Sequence, residues 1–161
     1  MSTAAEATAV RLVPGEAADL DGVMEVMATA FDPQFGEGWT RSQCAGILPL
    51  SGVRLMLAED EQGATHGFSL LRTVADEAEL LLLAVAPAAQ RQGVGGSLLE
   101  HFIELGRREG VRRLHLEVRD GNSAVAMYQR FGFKEEGRRP KYYMGQDGSQ
   151  HDALTMAREL L

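Results

Sequence analysis

The chain has a single cysteine, Cys44, which excludes an internal disulfide and suits a reducing cytoplasm. No apolar run approaches the ~20 residues of a membrane-spanning helix, so no membrane partner is expected. Met1 to Ala7 has neither a basic start nor an apolar core, so it reads as neither a secretion signal nor a membrane anchor. Residues 1–8 are expected to form a disordered tail. His66, His101, His115 and His151 lack ligand spacing, and no metal is expected. Nucleic acid is not expected either, because the net charge is −7 and no basic run is interleaved with aromatic residues. No internal repeat is visible.

What is present is 161 residues, 45% of them hydrophobic, enough for one substantial core and too few for a second. One domain is expected over residues 9–161. Its charge is uneven. Between Arg91 and Lys141 lie 11 of the 16 basic residues and 7 of the 23 acidic ones, a local +4 that leaves −11 for the rest. Arg107, Arg108, Arg112 and Arg113 read as a solvated helix face, with service to an anionic cofactor as the alternative.

The basic stretch begins at the segment around which the chain is organised. Leu80 to Val85 is a continuous apolar run closed by Pro87, as befits a central strand covered on both faces. A polar loop with Gly93, Gly95 and Gly96 follows, and then Leu98, Leu99, Phe102 and Ile103 at one-turn spacing. Strand, glycine loop and helix together make an anion site, because the first N–H groups of a helix lack internal partners and sit at the positive end of its dipole. The phosphate loop of nucleotide hydrolases is excluded, since no Gly-Lys-Ser/Thr follows. The dinucleotide fingerprint fits poorly: its third glycine would be Leu98, and Pro87 to Gln92 separate its first from the strand. Only Glu117, at the distance of a ribose-binding acid, agrees with it.

The remaining elements alternate helices and strands. Val10 to Val13 reads as a strand, and Leu20, Val23, Met24, Met27 and Phe31 share one face of a helix starting near Glu16. Residues 32–38 form a loop, and Trp39-Thr40 leads into a helix carrying Cys44, Ile47 and Leu48. Cys44 reads as packing and not as an acyl carrier. Leu55–Glu59, Gly67–Val74 and Leu80–Val85 read as an antiparallel meander. After the helix ending at Arg108, Leu114, Leu116 and Val118 alternate with His115, Glu117 and Arg119, a strand with one apolar and one polar face. The intervening helix makes it a parallel neighbour of Leu80–Val85, with a cleft at the carboxyl ends of the two. Asn122 caps a short helix carrying Val125, Tyr128 and Phe131. Phe133–Glu136 and His151–Ala157 complete the sheet, joined by a loop holding Tyr142 and Tyr143. The expected fold is α/β, with a mixed, mostly antiparallel seven-stranded sheet.

Gln90-Arg91-Gln92-Gly93-Val94-Gly95 matches Q/R-x-x-G-x-G/A, the pyrophosphate loop of the Gcn5-related N-acetyltransferases (GNAT). With Leu116 to Arg119, Asn122, Met127-Tyr128, Phe131 to Phe133, Arg139 to Tyr143 and Asp152 to Met156, the chain resembles the RimI-type members, which acetylate the N-terminal alanine of a ribosomal protein. The resemblance implies a central parallel pair that splays apart, with helices on both faces of the sheet. It implies acetyl-coenzyme A as co-substrate, contacted by Leu83, Ala84, Val85, Arg91, Gln92, Gly93, Val94, Gly95, Gly96 and Asn122. It further implies Glu117 as general base, Tyr128 as general acid, and Tyr142 and Tyr143 over the acceptor. The spacing from Asn122 to Tyr128 is one residue shorter than the family's usual one.

The chemistry requires two such groups, one to take a proton from the amine and one to return a proton to the sulfur. An α-amine with a pKa near 8 is roughly a tenth neutral at pH 7, so a carboxylate acting through water suffices for the first. The implied function is direct acetyl transfer to a protein N-terminus, that of a ribosomal protein in particular. A small-molecule amine or a lysine side chain is the alternative acceptor, and a non-catalytic acyl-coenzyme A sensor is the alternative class. Competing structural roles are also open: Glu117 as the partner of Arg119 or His115, Tyr128 as a packing residue, and Tyr142 and Tyr143 as strand-end packing.

Overall fold

The computed structural model describes residues 9–160, so the tail expected at 1–8 lies outside the described residues. The strands are β1 (Arg11–Gly15), β2 (Val53–Glu59), β3 (Thr65–Val74), β4 (Glu77–Val85), β5 (Arg113–Arg119), β6 (Lys134–Met144) and β7 (Gln150–Glu159). The helices are α1 (Leu20–Ala30), α2 (Arg41–Ile47), α3 (Val94–Arg108) and α4 (Ala124–Arg130). They form one seven-stranded sheet in the order β1-β2-β3-β4-β5-β7-β6, in which β4 and β5 are parallel and every other pair is antiparallel.

Helices cover both faces. On one, α1 and α2 bring Leu20, Val23, Met27 and Cys44 against Leu55, Leu57, Phe68 and Leu82. On the other, α3 and α4 bring Leu99, Phe102, Ile103 and Tyr128 against Leu80, Leu114, Leu116 and Met156. The Cys44 thiol is buried in the first of these layers, and burial pushes its pKa up. Helix α2 opens with a capping box, in which Thr40 Oγ1 accepts the Gln43 N–H at 3.1 Å and Gln43 Oε1 accepts the Thr40 N–H at 2.7 Å.

Three details differ from the sequence reading. First, β4 begins at Glu77, because Val74 pairs with Glu77 across a tight turn in which Ala75 adopts φ 54°. Second, α3 takes Gly95 and Gly96 into its first turn, leaving Gly93 as the N-cap at φ 81°. Third, β6 runs on to Met144, so Tyr142 and Tyr143 lie in a strand and not in a loop. The strand signal fails there because the pairing is irregular. Arg139 pairs with Ala153 and Tyr143 with His151, so three residues of β6 stand opposite Asp152 alone.

A bulge interrupts the pairing of β4 with β3. Leu70 pairs with Leu82 and Leu71 with Leu80, leaving Leu81 as the extra residue. Side chains therefore change face there: Ala78 and Leu80 pack with the α3 layer, and Leu81, Leu82 and Ala84 with the α1 layer. The apolar run is unbroken because both faces of β4 are covered, Leu83 on the α3 side and Leu82 and Ala84 on the α1 side.

Candidate active site

The bulge coincides with the end of the parallel pairing. Strands β4 and β5 are registered only from Glu77 with Arg113 to Leu80 with Leu116. Beyond that point β4 stays with β3 and β5 with β7, so a gap opens between Leu81–Val85 and Glu117–Arg119. The Ala86 N–H bonds to the His66 carbonyl at 2.8 Å, on the β3 side. By alternation, the amide groups of Leu83 and Val85 turn into the gap and those of Ala84 turn toward β3. The Val85 carbonyl accepts the Gln90 side-chain amide at 3.1 Å, so the glutamine of the loop motif closes off the end of β4.

Two spaces meet at this gap. The larger, about 600 Å³, is lined by Leu83, Ala84, Val85, Arg91, Gly93, Gly95, Gly96 and Asn122, all read from the sequence as coenzyme contacts. It is also lined by Ser123, Ala124, Met127, Arg130 and Phe131 of the α4 segment, which the sequence reading missed. Met127 and Phe131 are one helical turn apart, the only signal that they share a wall. A Cβ on Gly95 would lie 3.4 Å from Met127 Sδ and 3.6 Å from Val85 Cγ2, so the glycine keeps a narrow cradle open. Arg91 and Arg130 are exposed beside it, and among the described residues neither is paired with a carboxylate. Arg91 adopts φ 64°, a strained conformation for a side chain of its size.

Two expected contacts stand apart. The Val94 side chain is buried with Met56, Ala58 and Leu98, so its backbone N–H, at the start of α3, is what it can offer a ligand. Gln92 is exposed, and its amide donates to the Ala88 carbonyl at 3.2 Å.

The smaller space, about 120 Å³, is lined by Glu117, Tyr128, Tyr142 and Tyr143, together with Glu37, Trp39, Glu79 and Arg119. Glu117 comes from the polar face of β5, and Tyr128 from a helix that packs on the opposite face of the sheet. The splayed strands let both reach one pocket. Glu117 is paired with neither Arg119 nor His115, the partners considered for it. Its Oε1 lies 2.9 Å from Arg139 Nε, and its Oε2 accepts the Thr155 hydroxyl at 2.8 Å. Arg119 instead pairs with Glu37 and lies 3.7 Å over the Phe35 ring. The Tyr128 ring is buried and meets Phe133 edge-on at 6.1 Å. Burial, and after it the charge of Glu37, pushes its phenol above the ordinary range. Tyr143 is raised by the same two causes in the same order, whereas Tyr142 is half exposed and meets Tyr143 edge-on at 4.9 Å.

Asn122 is held on both sides: Oδ1 accepts the Ala124 N–H at 2.8 Å, and Nδ2 donates to Glu37 Oε2 at 2.9 Å. Glu37 was absent from the sequence reading. Its flanking glycines, Gly36 and Gly38, mark a loop, but nothing local shows a carboxylate reaching a strand more than 80 residues away.

A family model described as Acetyltransferase (GNAT) family matches residues 20–133, which span most of the two spaces. The chain belongs to this family. Among curated GNAT relatives, the [ribosomal protein bS18]-alanine N-acetyltransferase of Escherichia coli K12 is 44% identical over 98 residues, 60% of this chain and 66% of that protein. The match thus spans slightly less than two thirds of that relative's length. The protein of the same name from Haemophilus ducreyi is 33% identical over 142 residues, 82% of this chain and 98% of that protein. Among solved GNAT structures, the ribosomal-protein-S18-alanine N-acetyltransferase from E. coli superposes with a TM-score of 0.83 at 32% identity, covering 94% of each chain.

Proposed function

We propose that this protein moves acetyl from acetyl-coenzyme A directly to the N-terminal α-amine of a protein, with the N-terminal alanine of ribosomal protein bS18 as the first candidate acceptor. The observation that carries the reading is the junction at the splayed strands. A cleft with anion-binding features meets a small pocket with an acid and a phenol at the point where strand pairing stops. The acceptor is drawn from the names of relatives that match across most of this chain.

The residues of the larger space fit the coenzyme. Free N–H groups at the start of α3, with Arg91 and Arg130, suit its pyrophosphate, and the gap beside Leu83 and Val85 suits an extended arm lying along a strand edge. Acetyl-coenzyme A supplies the acetyl group as a thioester. Leu83 and Val85 present backbone N–H groups where negative charge develops on the carbonyl oxygen. Glu117 takes the amine proton through water, and Tyr128 offers its O–H to the departing sulfur.

The smaller pocket suits a cationic acceptor. Glu37, Glu79 and Glu117 line it; Glu37 is paired with Arg119 and Glu117 with Arg139, which leaves Glu79 as the carboxylate outside any ion pair among the described residues. An α-amine with a pKa near 8 arrives mostly as ammonium, which such a wall attracts before a proton is removed. Incubation with isotopically labelled acetyl-coenzyme A and a peptide library that includes the bS18 N-terminus, read by mass spectrometry, tests the proposal. Label on α-amines, with the bS18 peptide preferred, is the expected result. Label only on lysine side chains or small amines would replace the acceptor, and coenzyme binding without transfer would leave a sensor.

A further inference from the structure

Five residues line both spaces: Phe31, Glu37, Leu83, Arg119 and Asn122. Three of them are bonded to one another, since the Glu37 carboxylate takes Arg119 Nε on one oxygen and Asn122 Nδ2 on the other. These bonds join three separate parts of the chain: the loop between α1 and α2, the carboxyl end of β5, and the entry to α4, which carries Tyr128. The Glu37 side chain is 10% exposed and that of Arg119 14%, so neither charge is fully hydrated and each depends on the other.

The same loop is tied down on its far side. The Gln146 N–H donates to the Pro33 carbonyl at 3.0 Å, and Ser149 Oγ donates to the Gln34 carbonyl at 3.2 Å. Gly36, at φ 70°, lies so close to the Met144 carbonyl that no Cβ fits. The loop thus spans from the β6–β7 turn to the end of β5, across the junction of the two spaces.

We propose that Glu37 is a positioning residue for acetyl transfer, whose bonds to Arg119 and Asn122 hold the α1–α2 loop across the junction and fix where the acceptor's first residue meets the thioester. The proposal rests on the acetyl-transfer reading above. The acid spans two donors at once and so ties the loop to two other segments. Aspartate, shorter by one methylene, cannot bridge both. Glutamine keeps the length and can accept from Asn122, but it offers Arg119 no charge.

Kinetics and fluorescence of Glu37→Ala, Glu37→Asp and Glu37→Gln provide the test. In Glu37→Ala and Glu37→Asp the acceptor-peptide KM should rise at least tenfold, and the coenzyme Kd by a clearly smaller factor, since Glu37 also borders the larger space and holds Asn122; Glu37→Gln should fall between. Adding Arg119→Ala to Glu37→Ala should change the acceptor KM less than twofold further, because the two act as one unit. Trp39 is the sole tryptophan and lines the smaller pocket, so it reports on the loop without turnover. Its quenching by acrylamide should increase in Glu37→Ala. A folded Glu37→Ala with wild-type acceptor KM, or with acceptor KM and coenzyme Kd weakened equally, would overturn the proposal. Should wild type transfer acetyl to no peptide, the reading beneath fails separately, and unchanged Trp39 quenching would still refute the loop's anchoring.

Discussion

Arg139 holds Glu117 through an Nε contact of 2.9 Å to Oε1, although the arginine is 62% exposed and the carboxylate only 14%. The acid is thus oriented from the solvent side by a guanidinium, while its other oxygen takes the Thr155 hydroxyl. One face remains toward the pocket with Tyr128. The arrangement orients the carboxylate as the proposed mechanism requires, through a partner that is itself largely in solvent.

Glu117→Gln keeps the size and the Thr155 hydrogen bond but cannot take a proton. Its kcat should fall by the ~10² to 10⁴ of a lost general base, with acetyl-coenzyme A affinity nearly unchanged. The deficit should shrink above the amine's pKa near 8, where the acceptor deprotonates unaided. Turnover at the wild-type rate by the folded variant at pH 7 would remove Glu117 from the role.

Tyr128 leads to a different expectation. Its phenol is raised by burial and by Glu37. An unperturbed phenol near 10 already gives up its proton to a thiolate near 8.5 only at a cost of about 2 kcal/mol, and the upward shift increases that cost. In the proposed mechanism the residue is then a hydrogen-bond donor to sulfur, and Tyr128→Phe should cost kcat about tenfold to a hundredfold, roughly 1.4 to 2.8 kcal/mol. Because the phenol stays protonated, the wild-type rate should show no loss from this group up to pH 10. A loss larger than 10⁴ would restore full proton transfer.

The raised tyrosines also predict how stability depends on pH. Tyr128 and Tyr143 both have folded pKa values above the unfolded value near 10. Below pH 10 both states hold these protons and the stabilisation is complete. Above it the unfolded chain releases them first, so stability falls as pH rises toward the folded values. The melting temperature should drop more steeply above pH 10 in wild type than in Tyr128→Phe or in Tyr143→Phe. Parallel curves for all three would contradict it.

The anion loop and the order of elements were legible because they are local. Gly93 at its left-handed φ, the alternation of β5 and the one-turn spacing in α1 and α3 each leave a mark within a few residues. What stayed hidden depends on distant partners. Glu37 finds Arg119 only after the sheet has formed, and Arg139 reaches Glu117 only because the two strands flank β7. Tyr142 and Tyr143 read as a loop in the sequence because the irregular pairing opposite Asp152 breaks the strand period.

Gly95 gives a test of the coenzyme side that is independent of chemistry. Contacts of 3.4 to 3.8 Å to Met127, Val85 and Leu83 mean that a single Cβ fits the fold but fills the cradle. Gly95→Ala should therefore fold normally and weaken coenzyme binding, and Gly95→Val should raise the dissociation constant at least tenfold, about 1.4 kcal/mol. Calorimetry showing wild-type affinity in folded Gly95→Val would count against the larger space as the coenzyme site.

The two tyrosines of β6 should separate by role. Tyr142 is half exposed, with the Arg139 guanidinium 5.7 Å from its ring, so its removal exposes little core. Tyr142→Ala should leave the melting temperature nearly unchanged yet raise the acceptor-peptide KM, because the aromatic wall of the smaller pocket is lost. Tyr143 is half-buried, and Tyr143→Phe keeps its packing while removing a hydroxyl. A single hydrogen bond to the acceptor is worth about 0.5 to 1.5 kcal/mol, so its KM should rise by roughly twofold to twelvefold. In both variants the coenzyme dissociation constant should stay at the wild-type value, since neither residue borders the larger space. Equal weakening of peptide and coenzyme would instead mark a general folding defect, and unchanged peptide KM in both would move the acceptor away from β6.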